Sequence, residues 1–141
     1  MSLQQTRETL TAYSDMLGQR GPYGQFFADD ITFTLMGTDT VVKGKLEVEQ
    51  FIRFFHQTAF DAEPVVKRMY FDDGHAAVEF EFVGTHIGEF MGVPASRRHV
   101  ELPYMAAYDI VGGKITALRL YMAMDQLMRL IGAGDVAARA A

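Results

Sequence analysis

A segment with three glycines and a proline, Gly84–Pro94, constrains the fold of this 141-residue chain more than any other part of it. It lies between two strand-like runs of residues. Glycine allows backbone angles that other residues avoid, and proline fixes one backbone angle. The spacing therefore predicts a long loop set against a sheet, with an apolar tip at Phe90 and Met91. Such loops often border pockets, although a hairpin without chemistry is the alternative.

The composition limits the chain to one domain and argues against several partners. With 49% hydrophobic residues, 141 residues are enough for one core and too few for two ordinary domains. The net charge of −5, with no basic cluster larger than Arg97-Arg98, argues against nucleic acid or a membrane. The chain has no cysteine, and its four histidines lack zinc-site spacing, so we expect no metal. A polar N-terminus and the lack of an apolar run of roughly 20 residues favour a cytoplasmic protein.

Periodicity predicts helices at both ends of the chain and two between them. A capping box at Ser2 should begin the first helix, whose apolar stripe includes Tyr13 and ends near Leu17. Residues 23–28 should form a short helix. Residues 45–59 should form a longer one, with Phe51 and Phe55 on its apolar face and His56 at the margin. We expect strands at 31–35, 41–42, 65–71, 76–85, 98–111 and 114–124, then a helix at 126–131 and a loose tail at 133–141.

Alternation assigns the strand residues to faces. His86 shares a side with Phe82, and Tyr104 shares a side with Tyr108, while Pro103 between them predicts a bulge or an edge. The last predicted strand is ambiguous because either side could face inward. One side carries Ile115, Ala117, Arg119, Tyr121, Ala123 and Asp125, and the other carries Leu118, Leu120, Met122 and Met124.

Four motifs give the chain a family resemblance. They are the Gly-Thr-His-x-Gly-x-Phe-x-Gly-x-Pro stretch, Phe27-Ala28-Asp29-Asp30-Ile31, Gly44 before the helix containing Phe51, and Gly113-Lys114-Ile115. With these the chain resembles the SnoaL-like polyketide cyclases, of the superfamily that includes nuclear transport factor 2 and ketosteroid isomerase. The resemblance implies an α+β cone over residues 1–132, in which a curved, mostly antiparallel sheet packs on three to four helices. Because this fold hosts several reactions and non-catalytic carriers, it indicates architecture more than chemistry.

The resemblance implies a pocket with an acid/base group and a hydrogen-bond donor. Asp125, at the end of the last strand, is the first candidate for the acid/base role, although ungapped counting puts Ala123 in the family's aspartate position. An N-cap role for Asp125 is the structural alternative. His86 is a second candidate base or donor, or else a histidine that orders the loop. Tyr13 matches an inward donor tyrosine of the superfamily.

These assignments predict a cofactor-free cyclase or isomerase acting on a small hydrophobic carbonyl compound, in a homodimer covered on the outer face of its sheet. A non-catalytic ligand-binding module is the alternative. Ketosteroid isomerase chemistry looks absent, since Leu35 and Ala106 occupy its acidic positions. An epoxide hydrolase is a weaker possibility, because Arg119 lacks flanking carboxylates. Residues expected to bind the substrate are Phe33, Phe51, Phe55, His56, Phe82, Tyr104, Tyr108, Arg119 and Tyr121.

Overall fold

A computed structural model describes residues 2–133, which form three α-helices and six strands. In chain order, the structure consists of α1 (Leu3–Gly18), a 3-10 helix (Tyr23–Phe26), β1 (Phe27–Leu35), β2 (Val41–Lys43), α2 (Lys45–Arg53), a π-helix (Phe54–Ala59), β3 (Phe60–Asp72), β4 (His75–His86), β5 (His99–Val111), β6 (Lys114–Tyr121) and α3 (Met124–Leu130). The predicted tail, residues 133–141, lies outside the described residues apart from Ala133.

The strands form one sheet in the order β2-β1-β6-β5-β4-β3. The β1–β6 pair is parallel, and all other pairs are antiparallel. The sheet is curved and unclosed, and its concave face packs on the helices. This arrangement confirms the α+β cone predicted from the sequence. No helix within residues 2–133 has both the length and the apolar character needed to cross a membrane.

The first helix begins as its sequence predicts. Ser2 Oγ accepts the Gln5 backbone N–H at 3.0 Å, and the Gln5 side chain accepts the Ser2 N–H at 2.8 Å, which completes the capping box. Leu10, Tyr13 and Leu17 are buried on one face of α1. Because this stripe packs on the sheet, Tyr13 is held in the core with only 1% of its surface exposed.

The predicted helix at residues 45–59 is divided into two parts. The α-helix ends at Arg53, and the following residues form a π-helix, a wider turn that is often found at functional sites. The next strand then begins at Phe60 rather than at residue 65, so Pro64 lies inside β3. A proline is tolerated there because β3 is an edge strand of the sheet.

The ambiguity of the last strand is resolved by a bulge. In the β5–β6 pairing, Asp109 lies opposite Ala117 but Ile110 lies opposite Ile115, so Thr116 is an extra residue. Ile115 and Leu118 are three residues apart, so simple alternation would place them on opposite faces. Because of the bulge, both are buried, as is Leu120. The strand also ends at Tyr121, three residues before the predicted end.

The bulge corrects the argument from which a dimer was predicted. Leu118, Leu120 and Met122 face the core, so they do not form an apolar outer surface. The outer face instead exposes Met105 and Tyr121.

The interruption expected at Pro103 takes the form of a local edge. Pro103 pairs with Glu81 of β4, whereas β6 ends at Tyr121, opposite Met105. Pro103 therefore has a strand neighbour on one side only, which suits a residue without a backbone N–H.

Candidate functional site

A cavity lies between the concave face of the sheet and the helices. The volume that the centre of a water molecule can occupy in it is about 40 Å³. One ordered water needs roughly 10–15 Å³ of such volume. Its wall contains no aspartate, glutamate, lysine or arginine among the described residues. The lining residues are Tyr13, Leu17, Phe33, Phe51, Ile52, Phe55, His56, Phe80, Phe82, Tyr104, Ala106, Tyr108, Leu118, Leu120 and Met122.

Three tyrosines supply most of the polar atoms in this wall. The rings of Tyr13 and Tyr108 are 5.9 Å apart, and Tyr104 stacks on Phe80 at 4.9 Å. Burial raises the pKa of all three hydroxyls above the ordinary value, and the neighbouring tyrosines add to the shift. Within residues 2–133, none of these hydroxyls has a hydrogen-bond partner. They are therefore neutral donors available to a ligand.

His56, on the π-helix, is the fourth polar group of the wall. Its Nδ1 lies 2.9 Å from the Ile52 carbonyl oxygen, and because a carbonyl can only accept, the proton must be on Nδ1. Nε2 then carries a lone pair, and this buried atom has no partner in the described part of the chain. Burial lowers the pKa of His56 to about 4, with the Arg20 charge acting in the same direction. His56 is thus a neutral acceptor at physiological pH.

His56 also lines a second space. A second, smaller pocket shares only Leu17 and His56 with the cavity and is otherwise lined by residues such as Arg20 and Gln57. Phe82 packs against the His56 ring at 5.5 Å and against the Tyr104 ring at 6.4 Å. His56 and Tyr104 therefore both contact one phenylalanine of the cavity wall.

The structure brings together eight of the twelve residues assigned to the site from the sequence. These are Tyr13, Phe33, Phe51, Phe55, His56, Phe82, Tyr104 and Tyr108. The other four, Asp125, His86, Arg119 and Tyr121, do not line the cavity.

The expectation that Asp125 lies with Arg119 and Tyr121 on a cavity-facing side is corrected. Asp125 is in the first turn of α3, where 75% of its side chain is exposed and it lies 3.5 Å from Arg129. It is not the N-cap either, because Ala123 occupies that position. The strand ends at Tyr121, so alternation does not extend to Asp125.

Arg119 and Tyr121 are on the outer face of the sheet, on the other side of β6 from Leu118 and Leu120. Arg119 donates two hydrogen bonds to the Asp109 carboxylate, at 3.0 and 3.2 Å. This pairing holds the pKa of Asp109 below its usual value. The arginine thus has a carboxylate partner, but the pair is separated from the cavity by the sheet.

His86 is completely buried at the end of β4 and holds the loop formed by residues 87–98. Its Nδ1 accepts the Ser96 backbone N–H at 3.0 Å and lies 2.9 Å from Ser96 Oγ, so the ring proton is on Nε2. The His86 backbone N–H donates a hydrogen bond to the Arg98 carbonyl, and the His86 carbonyl accepts one from the Arg97 N–H. These two bonds close the loop. Burial lowers the pKa of His86, and the Gly88 backbone acts in the opposite direction. This geometry matches the alternative in which His86 orders the loop.

The apolar tip of this loop is only partly as predicted. Phe90 is buried and its ring lies 5.3 Å from the rings of both Phe55 and Phe60, whereas Met91 is exposed. Phe55 in turn lines the cavity. The loop therefore supports the cavity wall from behind without contributing a residue to it.

Seven lining residues were missed in the sequence. Phe80 could have been found, because alternation places it on the same side of β4 as Phe82. The inward position of Leu118, Leu120 and Met122 depends on the bulge at Thr116, which no local pattern indicated. Residues 2–133 contain no group of three or more histidine or acidic side chains placed to hold a metal ion.

The curved sheet, the packed helices and the cavity between them define a cone-shaped protein of the nuclear transport factor 2 type. The model of the SnoaL-like polyketide cyclase family matches residues 7–129, and the chain belongs to this family. A search of curated proteins gives no match.

Solved structures agree with this assignment at the level of the fold. A protein from Jannaschia sp. CCS1, described as a SnoaL-like polyketide cyclase, is 19% identical, with a TM-score of 0.82 over 92% of this chain and 93% of that chain. A phenazine biosynthesis-related protein from Pseudomonas aeruginosa is 25% identical, with a TM-score of 0.75 over 92% and 86%. A protein from Kribbella flavida, described as a ketosteroid isomerase, is 20% identical, with a TM-score of 0.66 over 85% and 78%.

Proposed function

We propose that this protein is a cofactor-free enzyme of the cyclase or isomerase type that moves a proton on a small, neutral carbonyl compound in the cavity. The family assignment supports a function of this type. The proposal depends chiefly on one observation. Within residues 2–133, His56 Nε2 and the hydroxyls of Tyr13, Tyr104 and Tyr108 have no hydrogen-bond partner, and these four residues line one cavity.

In this proposal His56 takes the base role that the sequence suggested for Asp125 or His86. Its Nε2 removes a proton from the carbon next to the carbonyl, and the C–H electron pair becomes the double bond of an enolate. A tyrosine hydroxyl, foremost that of Tyr13, donates a hydrogen bond to the enolate oxygen. Where a C=C bond is conjugated with the enolate, the protonated His56 then returns the proton to the far carbon of that system, which completes an isomerisation. Alternatively, the enolate carbon attacks a second carbonyl and closes a ring, and the protonated His56 gives its proton to the alkoxide oxygen that forms.

The low pKa of His56 is compatible with this role. At neutral pH the imidazole is unprotonated, and bases with pKa values well below neutrality remove protons from carbon acids in other enzymes of this chemistry. The raised pKa values of Tyr13, Tyr104 and Tyr108 keep the hydroxyls protonated, so they remain donors. Base and donors therefore hold the required protonation states at the same pH.

The size and charge of the cavity limit the substrate. A space of about 40 Å³ holds a few waters, so a ligand with a ring has to displace flexible wall residues such as Met122. An ionised carboxylate would find no balancing charge among the described residues of the wall. We therefore expect neutral substrates.

A non-catalytic ligand-binding module is the second candidate. It is favoured by the absence of a carboxylate from the described cavity wall and by the exposed position of Asp125. Such a module would bind the same neutral compounds but would leave their C–H bonds intact.

Hydrogen–deuterium exchange of simple ketones, used in place of a natural substrate, tests the proposal. Acetone, cyclohexanone and 2-tetralone, a series of rising size, are incubated with the protein in D₂O, and loss of the α-proton signals is followed by NMR. We expect the wild-type protein to accelerate exchange of at least one ketone. His56→Phe, which keeps an aromatic ring but removes the base, should lower that rate by about 100-fold.

The matched control is His99→Gln, at an exposed histidine outside the cavity, which should exchange the ketone at the wild-type rate. Retention of exchange in a folded His56→Phe variant would refute the role of His56. Saturable binding of a ketone without any accelerated exchange would favour the binding module instead.

We also propose that the protein is a cytoplasmic homodimer, as expected from the sequence. The surface that supports a dimer is now the outer face with Met105 and Tyr121, which are 39% and 47% exposed. Sedimentation velocity of the wild-type protein and of Tyr121→Lys checks this proposal, and we expect the variant to sediment as a monomer.

A further inference from the structure

The π-helix that carries His56 is fixed by the loop of residues 87–98. At its end, the Ala59 carbonyl oxygen accepts the backbone N–H groups of Ile87 and Gly88, at 2.9 and 3.0 Å. Gly88 lies so close that a Cβ atom added to it would be 2.4 Å from the Thr58 carbonyl oxygen. Because this neighbour is backbone, it cannot rotate out of the way. Only glycine permits the contact without a shift of the loop or of the π-helix.

A second contact reaches the π-helix from the end of α1. Arg20 has a φ of 56°, in the left-handed region that residues with side chains rarely adopt. Its Nη2 group donates to the His56 carbonyl oxygen at 3.4 Å, to the Ala62 carbonyl oxygen at 3.2 Å and to the Asp61 carboxylate at 2.6 Å. The guanidinium therefore joins the backbone of His56 to the start of β3.

We propose that Gly88 and Arg20 are positioning residues for His56. They hold the π-helix where the His56 Nδ1–H bonds to Ile52 and the imidazole forms part of the cavity wall. This gives Gly88, the second glycine of the Gly-Thr-His-x-Gly motif, a role at the site although the motif supplies no cavity residue. The inference relies on the proposed function for the importance of His56, but the positioning is measurable in the ligand-free protein.

Two variants and two matched controls test the proposal. Gly88→Ala places a methyl group against the Thr58 carbonyl, while Gly18→Ala adds the same group where no atom lies within 4 Å. Arg20→Gln removes the long donor to the His56 carbonyl, while Asp61→Asn leaves Arg20 in place and removes only the charge of its partner. The ¹⁵N NMR shifts of the His56 ring nitrogens report which nitrogen carries the proton, and ketone exchange reports kcat and KM separately.

We expect Gly88→Ala to shift both His56 ring-nitrogen signals and to lower kcat for ketone exchange by roughly 10- to 100-fold, with KM changed less than about twofold. Arg20→Gln should change the same quantities in the same direction by a smaller factor. Gly18→Ala and Asp61→Asn should retain the wild-type ring signals and kcat.

A folded Gly88→Ala or Arg20→Gln variant with wild-type His56 ring signals would overturn the inference. If Gly88→Ala does not fold, Arg20→Gln decides, since the Arg20 side chain is 41% exposed and its loss leaves the core intact. If the wild-type protein exchanges no ketone, the proposed function fails, but the ring-nitrogen signals still decide whether these residues position His56.

Discussion

Two histidines, the partly buried His56 on the π-helix and the fully buried His86 at the base of the loop, have lowered pKa values and opposite proton positions. The Nδ1–H of His56 donates a hydrogen bond to the Ile52 carbonyl, and the Nε2 lone pair has no partner within residues 2–133. His86 uses its Nδ1 lone pair to accept the Ser96 N–H, so its proton is on Nε2. The first histidine is left with an acceptor beside a cavity, and the second is a structural anchor.

The contrast shows that burial alone does not identify a functional histidine. Desolvation is the main cause of the lowered pKa in both residues. The difference arises from what each Nδ1 atom contacts, a carbonyl in one case and an N–H group in the other. The hydrogen-bond partner of one ring nitrogen therefore decides which histidine can act as a base.

The largest expected effect that tests this comparison is the pH dependence of stability. The folded-state pKa of His56 is about 4, against an ordinary value of 6.5. Above pH 6.5 both states are neutral, and as the pH falls from 6.5 to about 4 only the unfolded chain binds the proton, so the free energy of unfolding decreases. The total loss from His56 is about 3 kcal/mol. Urea unfolding at several pH values between 7 and 4 measures it.

Variants at each position separate the contributions of the two histidines to the slope of unfolding free energy against pH. His56→Phe should remove the larger part of the slope and His86→Ala should reduce it, since the pKa of His86 is also lowered. The lowered pKa of Asp109 acts below 3.8 and does not contribute here. Equal slopes for His56→Phe and the wild-type protein would show that His56 is not buried as a neutral group.

An intermediate effect is expected when the anchor itself is removed. His86→Ala deletes the acceptor of the Ser96 N–H and a ring contact with Phe60, which should cost about 2 kcal/mol of unfolding free energy. Backbone amides in residues 87–98 should then exchange faster with D₂O. Ser96→Ala, which retains the backbone N–H and loses only the hydroxyl, is the control and should cost less. If His86→Ala abolished ketone exchange while the fold and loop stayed intact, His86 would have a chemical role after all.

The smallest effect is expected at Asp125. Because its side chain is exposed and pairs with Arg129 on the same helix, Asp125→Asn should change the unfolding free energy by less than about 0.5 kcal/mol. Ketone exchange should stay within about twofold of the wild-type rate. A loss of 100-fold would instead restore Asp125 as the acid/base group predicted from the sequence.

The sequence was sufficient for the cone fold and for most of the cavity wall. The capping box, the inward Tyr13, the buried faces of β4 and β5, and the long glycine-containing loop are local patterns with a fixed period or spacing. Such patterns depend on nearest neighbours in the chain, so they can be read from the sequence directly.

The remaining features depend on contacts between distant segments. The extra residue at Thr116 changes the face of every following residue in β6, and the π-helix alters the direction of the side chains after Arg53. The free Nε2 of His56 results from the Ile52 carbonyl and from packing against Phe82. No spacing in the sequence indicated these changes. The bulge at Thr116 is the one that affects Arg119 and Tyr121, which follow it in β6 and lie on the outer face.

Phe55 belongs both to the cavity wall and to the aromatic group that holds Phe90 of the loop. Natural or engineered exchange of the loop between relatives would therefore reshape the binding space, even though the transplanted residues never touch a guest molecule. A chimaera should acquire the substrate preference of the protein that supplied the loop only if the residue at the Phe55 position is exchanged as well. Exchange of the loop alone, or of that residue alone, should not be enough.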